Sequence, residues 1–168
     1  MMQHHIKMLK NVFSFALLLA LPLFPFLSQA DSVRIGDGVI KISDAFIRAT
    51  KGKNAAAYCK IQNTSSSYVT LLEAKPDPSV AKYAELHTHE QHGDVFRMVK
   101  VEHIAIPPHQ TITLEPGGMH IMLMHAEKSL AEDTEQRAPI NLIFNNDVSM
   151  QLDFPVRQNS KHTCGCKG

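Results

Sequence analysis

A turn followed by strict alternation occupies residues 116–124, which read Pro116-Gly117-Gly118-Met119-His120-Ile121-Met122-Leu123-Met124. Side chains along a β-strand point to opposite faces with a period of two. One face therefore carries an apolar set that suits a protein core, namely Met119, Ile121 and Leu123. The other face places an imidazole beside a thioether, at His120 and Met122. Met124, the next residue on that face, is expected to be a reserve ligand or a packing residue.

Similar short runs with β-propensity recur along the chain between turn signals. They cover residues 39–43, 45–48, 58–62, 68–72, 85–89, 95–100, 111–114, 120–124, 140–144 and 150–154. Many short strands at this spacing predict an all-β fold, an antiparallel β-sandwich or barrel in a single domain. The one helix suggested by the sequence, Ser79 to Glu85, is too short for an amphipathic stripe. The polar segment from Glu127 to Arg137 is expected to be a long connection.

Residues 1–30 have the organisation of a secretory signal peptide. A basic segment with Lys7 and Lys10 precedes an apolar run from Val12 to Leu27, and Ser28-Gln29-Ala30 forms a small-x-small cleavage pattern. The apolar run is shorter than the roughly 20 residues that a membrane-spanning helix needs, and it contains prolines. We therefore expect cleavage after Ala30, a periplasmic mature protein and no stable membrane insertion.

The remaining chain divides into a domain over residues 36–157 and a polar tail over residues 158–168. Loss of residues 1–30 removes two lysines and no acid, which leaves 15 Lys and Arg against 16 Asp and Glu. A nucleic-acid-binding surface needs a clustered excess of basic residues, so this balance argues against one. Three cysteines, an odd number, argue against a disulfide-stapled scaffold. A chain of this length can bury its own core, and we expect a monomer.

A second pair of candidate ligands precedes the first in the chain. A turn is expected at residues 91–94, and folding the chain symmetrically about His92 and Gly93 places His87 opposite Met98. Directly opposed residues have Cβ atoms about 4.5–5.5 Å apart, so these two side chains could share one ion. His-Gly is not a favoured hairpin turn, however, and a slipped register would pair His89 with Met98 instead.

Together the two pairs supply two imidazoles and two thioethers, from His87, Met98, His120 and Met122. Thioethers select copper(I), whereas zinc sites are built from Cys, His, Asp and Glu. A blue-copper electron-transfer centre would need a Cys ligand followed closely by His and Met ligands, and Cys59 has neither nearby. Cys59 is instead predicted to be a small buried apolar residue.

The tail carries His162, Cys164 and Cys166 close together on a segment too polar to pack. Two soft sulfurs and an imidazole predict an auxiliary copper site, for copper(I) when the thiols are reduced and with copper(II) as an alternative. The two cysteines could instead form a disulfide or be incidental to a solvated tail.

The four candidate ligands resemble the signature of the periplasmic copper chaperones called PCuAC, in which His-x10-Met-x21-His-x-Met is the characteristic spacing. His87, Met98, His120 and Met122 match every interval of that signature. Similarity extends over residues 39 to 156, through the segments Asp44-Ala45-Phe46-Ile47-Arg48-Ala49, Ala55-Ala56-Ala57-Tyr58, Asn63-Thr64, Leu86-His87-Thr88, Leu114-Glu115-Pro116-Gly117-Gly118 and His120-Ile121-Met122-Leu123-Met124. Three positions depart from the family: Phe46 replaces a common Trp, Met119 replaces Tyr, and His89 replaces an additional Met of many members.

The resemblance implies a cupredoxin-like β-barrel that binds copper(I) on the four matching residues and is not an enzyme. It also implies a partner that accepts the copper, either an oxidase subunit with a copper centre or another copper chaperone. His89 and Met124 would then be auxiliary metal-binding residues.

Two enzyme classes compete with this interpretation. The run His87-Thr88-His89-Glu90-Gln91-His92 resembles a motif of dinuclear zinc hydrolases, but Gln91 stands in place of the required Asp. A cupin metalloenzyme would share the β-barrel and a His-x-His motif, but Gly93 occupies the position of its glutamate. Copper scavenging or resistance would use the same four ligands and differ from delivery only in whether a client receives the ion.

Overall fold

The computed structural model describes residues 31–49, 52–93, 95–131 and 136–158, and most of them are in β-strands. The strands are β1 (Asp31–Ile35), β2 (Gly38–Ala49), β3 (Asn54–Asn63), β4 (Val69–Pro76), β5 (Ala81–His92), β6 (Val95–Val101), β7 (Ile104–Ile106), β8 (Thr111–Leu114), β9 (His120–Ala126), β10 (Arg137–Phe144) and β11 (Ser149–Gln158). One turn of 3-10 helix, Lys128–Ala131, lies within the connection expected after β9. Within the ranges described, no helix is long and apolar enough to cross a membrane. The predicted signal peptide and the tail beyond residue 158 fall outside these ranges.

The strands form one curled sheet in the order β6-β5-β9-β3-β2-β11-β10-β4-β7, with β1 added to β2 and β8 added to β3. Neighbouring strands are antiparallel except β2 and β11, which run parallel. Strand β11 pairs first with β10 and then with β2, so it joins the two halves of the sheet. Side chains from both halves enter one apolar core. This all-β arrangement confirms the predicted cupredoxin-like fold.

The core consists mainly of branched aliphatic side chains that alternate along the strands. Fully or almost fully buried members include Ile40, Ile42, Ile47, Ile61, Leu71, Ile121, Leu123, Ile140, Leu142, Phe144 and Phe154. Burying each such side chain contributes about 1.5–3 kcal/mol. Met119 packs against this core, so the apolar face predicted for β9 is confirmed. Cys59 is also buried in the core, as predicted.

A β-bulge interrupts β2. Asp44 and Ala45 together oppose the single residue Cys59 of β3. Asp44 adopts a φ of 54°, a conformation that Asp accepts more readily than most residues. The extra residue changes which positions of β2 face the core, from even-numbered before the bulge to odd-numbered after it. Phe46 and Arg48 therefore face away from the core.

The β5–β6 hairpin has the slipped register, with His89 opposite Met98. The prediction that His87 lies opposite Met98 is therefore wrong, because His87 pairs with Lys100 instead. The turn explains the difference: Gly93 has a φ of 62°, which two-residue hairpin turns require and glycine adopts without steric cost. The turn is thus centred one residue later than the symmetric folding assumed.

The observed elements differ from the sequence analysis at three further points. The sheet begins with β1 at Asp31, five residues before the expected start of the domain. The segment Ser79 to Glu85, the weak helix candidate of the sequence, does not form a helix, because β5 begins at Ala81. Strand β7 is only three residues long and carries too little alternation to be recognised in the sequence.

Asn63 organises the loop after β3 although it is a fully buried polar residue. Its amide nitrogen lies within hydrogen-bond distance of three main-chain carbonyls, at 2.8 Å from Ser67, 3.1 Å from Ile106 and 3.2 Å from Pro107. Its Oδ1 accepts hydrogen bonds from the backbone N–H and the hydroxyl of Ser65, at 2.9 and 2.7 Å. Both polar atoms of the Asn63 side chain therefore have partners, and they tie β3 to β7.

Candidate metal centre

The predicted ligands lie on one face of the sheet, where β6, β5 and β9 are neighbours. Strands β5 and β9 pair with His87 directly opposite His120. Met122 is two residues after His120, and His89 is two residues after His87, so each shares a face with its predecessor. Met98 lies opposite His89 and joins the same face from β6. The fold therefore gathers on one surface all four predicted ligands and the auxiliary His89.

Three imidazole rings converge on this face. The ring centres of His87 and His120 are 5.7 Å apart, and those of His89 and His120 are 5.5 Å apart. His120 is only 3% exposed, so the face is more buried at this point than the alternating pattern suggested. Met98 is exposed at the sheet edge, whereas Met122 is half-buried beside the rings.

The Gly118 carbonyl orients two of the rings. His120 Nδ1 and His89 Nδ1 lie 3.0 and 3.1 Å from this oxygen. A carbonyl only accepts, so each Nδ1 donates its proton to Gly118, and Nε2 is the nitrogen that has a lone pair in the neutral ring. The turn before β9 holds the carbonyl in place, with Glu115 N donating to Met119 O at 2.8 Å. Gly117 adopts a φ of 85° in this turn, which explains the glycine there.

Glu85 orients the third ring. His87 Nε2 donates to Glu85 Oε2 at 3.0 Å, and Lys100 Nζ donates to the other carboxylate oxygen at 2.9 Å. The hydrogen bond from His87, followed by the one from Lys100, lowers the pKa of Glu85 below its usual value. Within the described part of the chain, His87 Nδ1 is buried and has no hydrogen-bond partner. A ring nitrogen without a hydrogen-bond partner is available to coordinate a metal ion.

The electrostatic setting favours the neutral form of the His120 ring. Burial, above all, lowers the pKa of His120 below its usual value. The ring of Tyr58 lies 6.2 Å from His120, and Phe46 packs against Tyr58 at 5.0 Å, so aromatic side chains cover one flank. A neutral ring retains the lone pair that coordinates a metal ion.

Nitrogen and oxygen ligands alone do not complete a site. In the residues that the structure describes, no three His, Cys, Asp or Glu side chains form a group that could hold a metal ion. The thioethers of Met98 and Met122 are the further possible donors on this face. Met98 is the diagonal neighbour of His87, at a separation of about 7–8 Å that long side chains can span. Such a mixed set suits a soft ion.

The other sequence candidates are not part of this cluster. Met124 shares the face but lies opposite Tyr83, two rows of the sheet away from the pair His87 and His120. Cys59 points into the core, where burial raises the pKa of its thiol to about 12 and leaves it unreactive. The predicted tail ligands His162, Cys164 and Cys166 lie outside the described residues.

Glu85 and Gly118 were not identified from the sequence. Glu85 and His87 are alternate residues of a strand, so the pattern Glu-x-His already placed the carboxylate on the face of the ligand. The role of Gly118 had no comparable signal, because a backbone carbonyl has no residue-specific signature.

Solved structures that share this architecture include PCuAC domains. The "Copper-bound PCuAC domain from PmoF2" has a TM-score of 0.60 at 21% identity, covering 76% of this chain and 98% of that one. The "Solution structure of CuI-DR1885 from Deinococcus Radiodurans" has a TM-score of 0.55 at 25% identity, covering 68% of this chain and 76% of that one.

Sequence comparison identifies the family. A family model described as "Putative lipoprotein LpqE-like" matches residues 40–156, and the chain belongs to this LpqE-like family. The relative "Putative lipoprotein Lxx21020" of Leifsonia xyli subsp. xyli (strain CTCB07) is 29% identical over 133 residues, which are 79% of this chain and 77% of that protein.

Proposed function

We propose that this protein is an exported copper(I) chaperone, without enzymatic activity, that holds the ion between His87, Met98, His120 and Met122. One observation carries the proposal: His87 and His120 face each other with one nitrogen of each ring fixed by an acceptor and the other left for a ligand. The likeness to CuI-DR1885, at 25% identity, supports copper(I) as the ion.

The ligand chemistry suits a donor of copper. Neutral imidazoles and thioethers leave the site with the single charge of copper(I), and a client's thiolates or imidazoles can replace them one at a time. The sheet holds the imidazoles in place before the ion arrives, so binding requires little rearrangement. The client is proposed to be the copper centre of a respiratory oxidase or another copper chaperone. Scavenging would use the same site without a client.

Export is supported by the lipoprotein description of the family and of its relative. We propose that residues 1–30 are removed after Ala30 and that the mature protein works in the periplasm as a monomer. Mass spectrometry of the exported protein tests the cleavage site. An intact N-terminus on the exported protein would contradict it.

The copper site is tested by anaerobic competition with a copper(I) chelator. A Cys164→Ser/Cys166→Ser background keeps the tail thiols out of the measurement, and comparison with the parent tests the proposed auxiliary site that they form with His162. We expect the background variant to bind one copper(I), and X-ray absorption to show both sulfur and nitrogen ligands. If Met98→Leu and Met122→Leu both kept the parental affinity while His89→Ala abolished binding, a histidine-dominated site would have to replace the proposed one.

A further inference from the structure

A hollow opens beside Met122 on the same face of the sheet. Its volume is about 350 Å³, and Arg48, Lys53, Ala56 and Tyr58 also line it. Arg48 of β2 lies opposite Ala56 of β3, which in turn lies opposite Met122 of β9. The methyl group of Ala56 fills little of this row, so space remains between the guanidinium and the thioether.

Among the described residues that line the hollow, Arg48 and Lys53 are cations and none is an acid. Among the described residues, neither Arg48 nor Lys53 has a carboxylate within salt-bridge distance. The guanidinium carbon of Arg48 instead lies 6.0 Å from the centre of the Tyr58 ring. Arg157 is the neighbour of Arg48 on β11 and extends the positive surface over Phe46, at 4.4 Å from that ring centre. Such a hollow attracts an anionic group.

The acid nearest to Met122 in the sheet does not offset these cations. Glu85 of β5 lies opposite Met122, on the side of Met122 away from Ala56 and the hollow. Its two carboxylate oxygens are already bound by His87 and Lys100. A copper(I) ion held by neutral ligands would add one more positive charge next to the hollow.

We propose that the hollow receives the carboxylate of an Asp or Glu side chain from the protein that accepts the copper. The inference rests on the proposed function and adds the chemistry by which the partner docks. Because the hollow and the metal site share Met122, a carboxylate seated between Arg48 and Lys53 brings the partner's own metal ligands next to the sulfur. Opposite charges at the rim of an interface speed association and fix its orientation.

Copper transfer to two synthetic peptides tests the proposal. Both carry the same Cys-x-x-Cys motif, flanked by two glutamates in one and two glutamines in the other. We expect the copper-loaded Cys164→Ser/Cys166→Ser protein, which lacks the tail thiols, to transfer its ion to the glutamate peptide roughly two- to fivefold faster at low salt. The difference should disappear in Arg48→Gln and Lys53→Gln and shrink in high salt. Lys41→Gln, a change of an exposed lysine of β2 outside the hollow, should retain it.

A measurement without copper separates this proposal from the proposed function. In NMR titrations of the metal-free protein, the Met122 methyl signal should shift with the glutamate peptide and not with the glutamine peptide. Ala56→Leu, which fills the hollow and keeps its charges, should abolish that shift. Equal responses to the two peptides would overturn the proposal even if copper binds as expected. A shift produced equally well by free acetate would also overturn it, since the hollow would then be a general carboxylate site.

Discussion

Two polar side chains, the fully buried Asn63 and the partly buried His87, are satisfied in opposite ways. Both polar atoms of the Asn63 side chain bind neighbouring groups of the loop and of β7. His87 has one ring nitrogen bound to Glu85, and its other nitrogen is buried without a partner in the described structure. Asn63 therefore has partners for both of its polar atoms, whereas His87 has a ring nitrogen that is available to a ligand.

The two arrangements have different energetic consequences. A closed network loses free energy when one member is removed, because the remaining buried groups lose their partners. An open acceptor costs stability in the free protein, and a ligand that fills it stabilises the folded state. Substitutions near Asn63 should therefore lower the free energy of unfolding, and substitutions near His87 should lower copper(I) affinity.

The largest effect on stability is expected from Asn63→Ala. Removing the amide leaves the carbonyls of Ser67, Ile106 and Pro107 without that donor, and the loss should be about 3–5 kcal/mol in the free energy of unfolding. Urea denaturation measures it, and the remaining folded protein should bind copper(I) with parental affinity. A loss below about 1 kcal/mol would mean that water replaces the amide.

Met122→Leu should show the opposite profile. It keeps the volume and apolar character of the side chain, so the free energy of unfolding should stay within about 1.5 kcal/mol of the parent. Loss of the sulfur should lower copper(I) affinity at least about tenfold, because even residues that only orient ligands have effects of that size. Chelator competition and urea denaturation on the same preparation give both values. Unchanged affinity would remove Met122 from the ligand set.

Glu85→Gln should produce a smaller loss. The amide keeps the shape of the side chain but removes the charge that fixes the His87 ring, so copper(I) affinity should fall about tenfold. Glu73→Gln is the matched control, since Glu73 pairs with Lys75 on the surface at 3.2 Å and lies away from the site. Equal affinities for Glu85→Gln and the control would show that the carboxylate does not orient the ligand.

The smallest effect is expected from His103→Ala. His103 is exposed and lies between β6 and β7, outside the cluster of imidazoles. Its substitution should change the free energy of unfolding by no more than about 0.5 kcal/mol and leave copper(I) affinity unchanged. An affinity loss as large as that of Met122→Leu would place a ligand outside the proposed face.

Local alternation in the sequence was enough to predict most strands and the apolar face of β9. It predicted the burial of Ile121 and Leu123 because a strand with a buried face must alternate. The register of β5 and β6 was not predictable in the same way. It depends on the backbone conformation of Gly93, and a slip by one position in the turn moves Met98 from His87 to His89.

The residues that surround the site were harder to predict from the sequence than the candidate ligands. The position of Arg48 beside Met122 depends on strand order, since β2 and β9 are both neighbours of β3 without being consecutive in the chain. No spacing rule encodes that adjacency. The same holds for the Gly118 carbonyl, which acts through its place in a turn.

Because of the bulge at Asp44 and Ala45, the number of residues in β2 decides which of its side chains lie beside the site. Deleting one of these residues would exchange the inside and the outside of the rest of β2. Phe46 and Arg48 would then enter the core, and Ile47 would face solvent. A one-residue gap at this point would therefore remove Phe46 and Arg48 from the flank of the proposed copper site without altering any proposed ligand. Homologues that differ in length here should be expected to present a different surface to their partners.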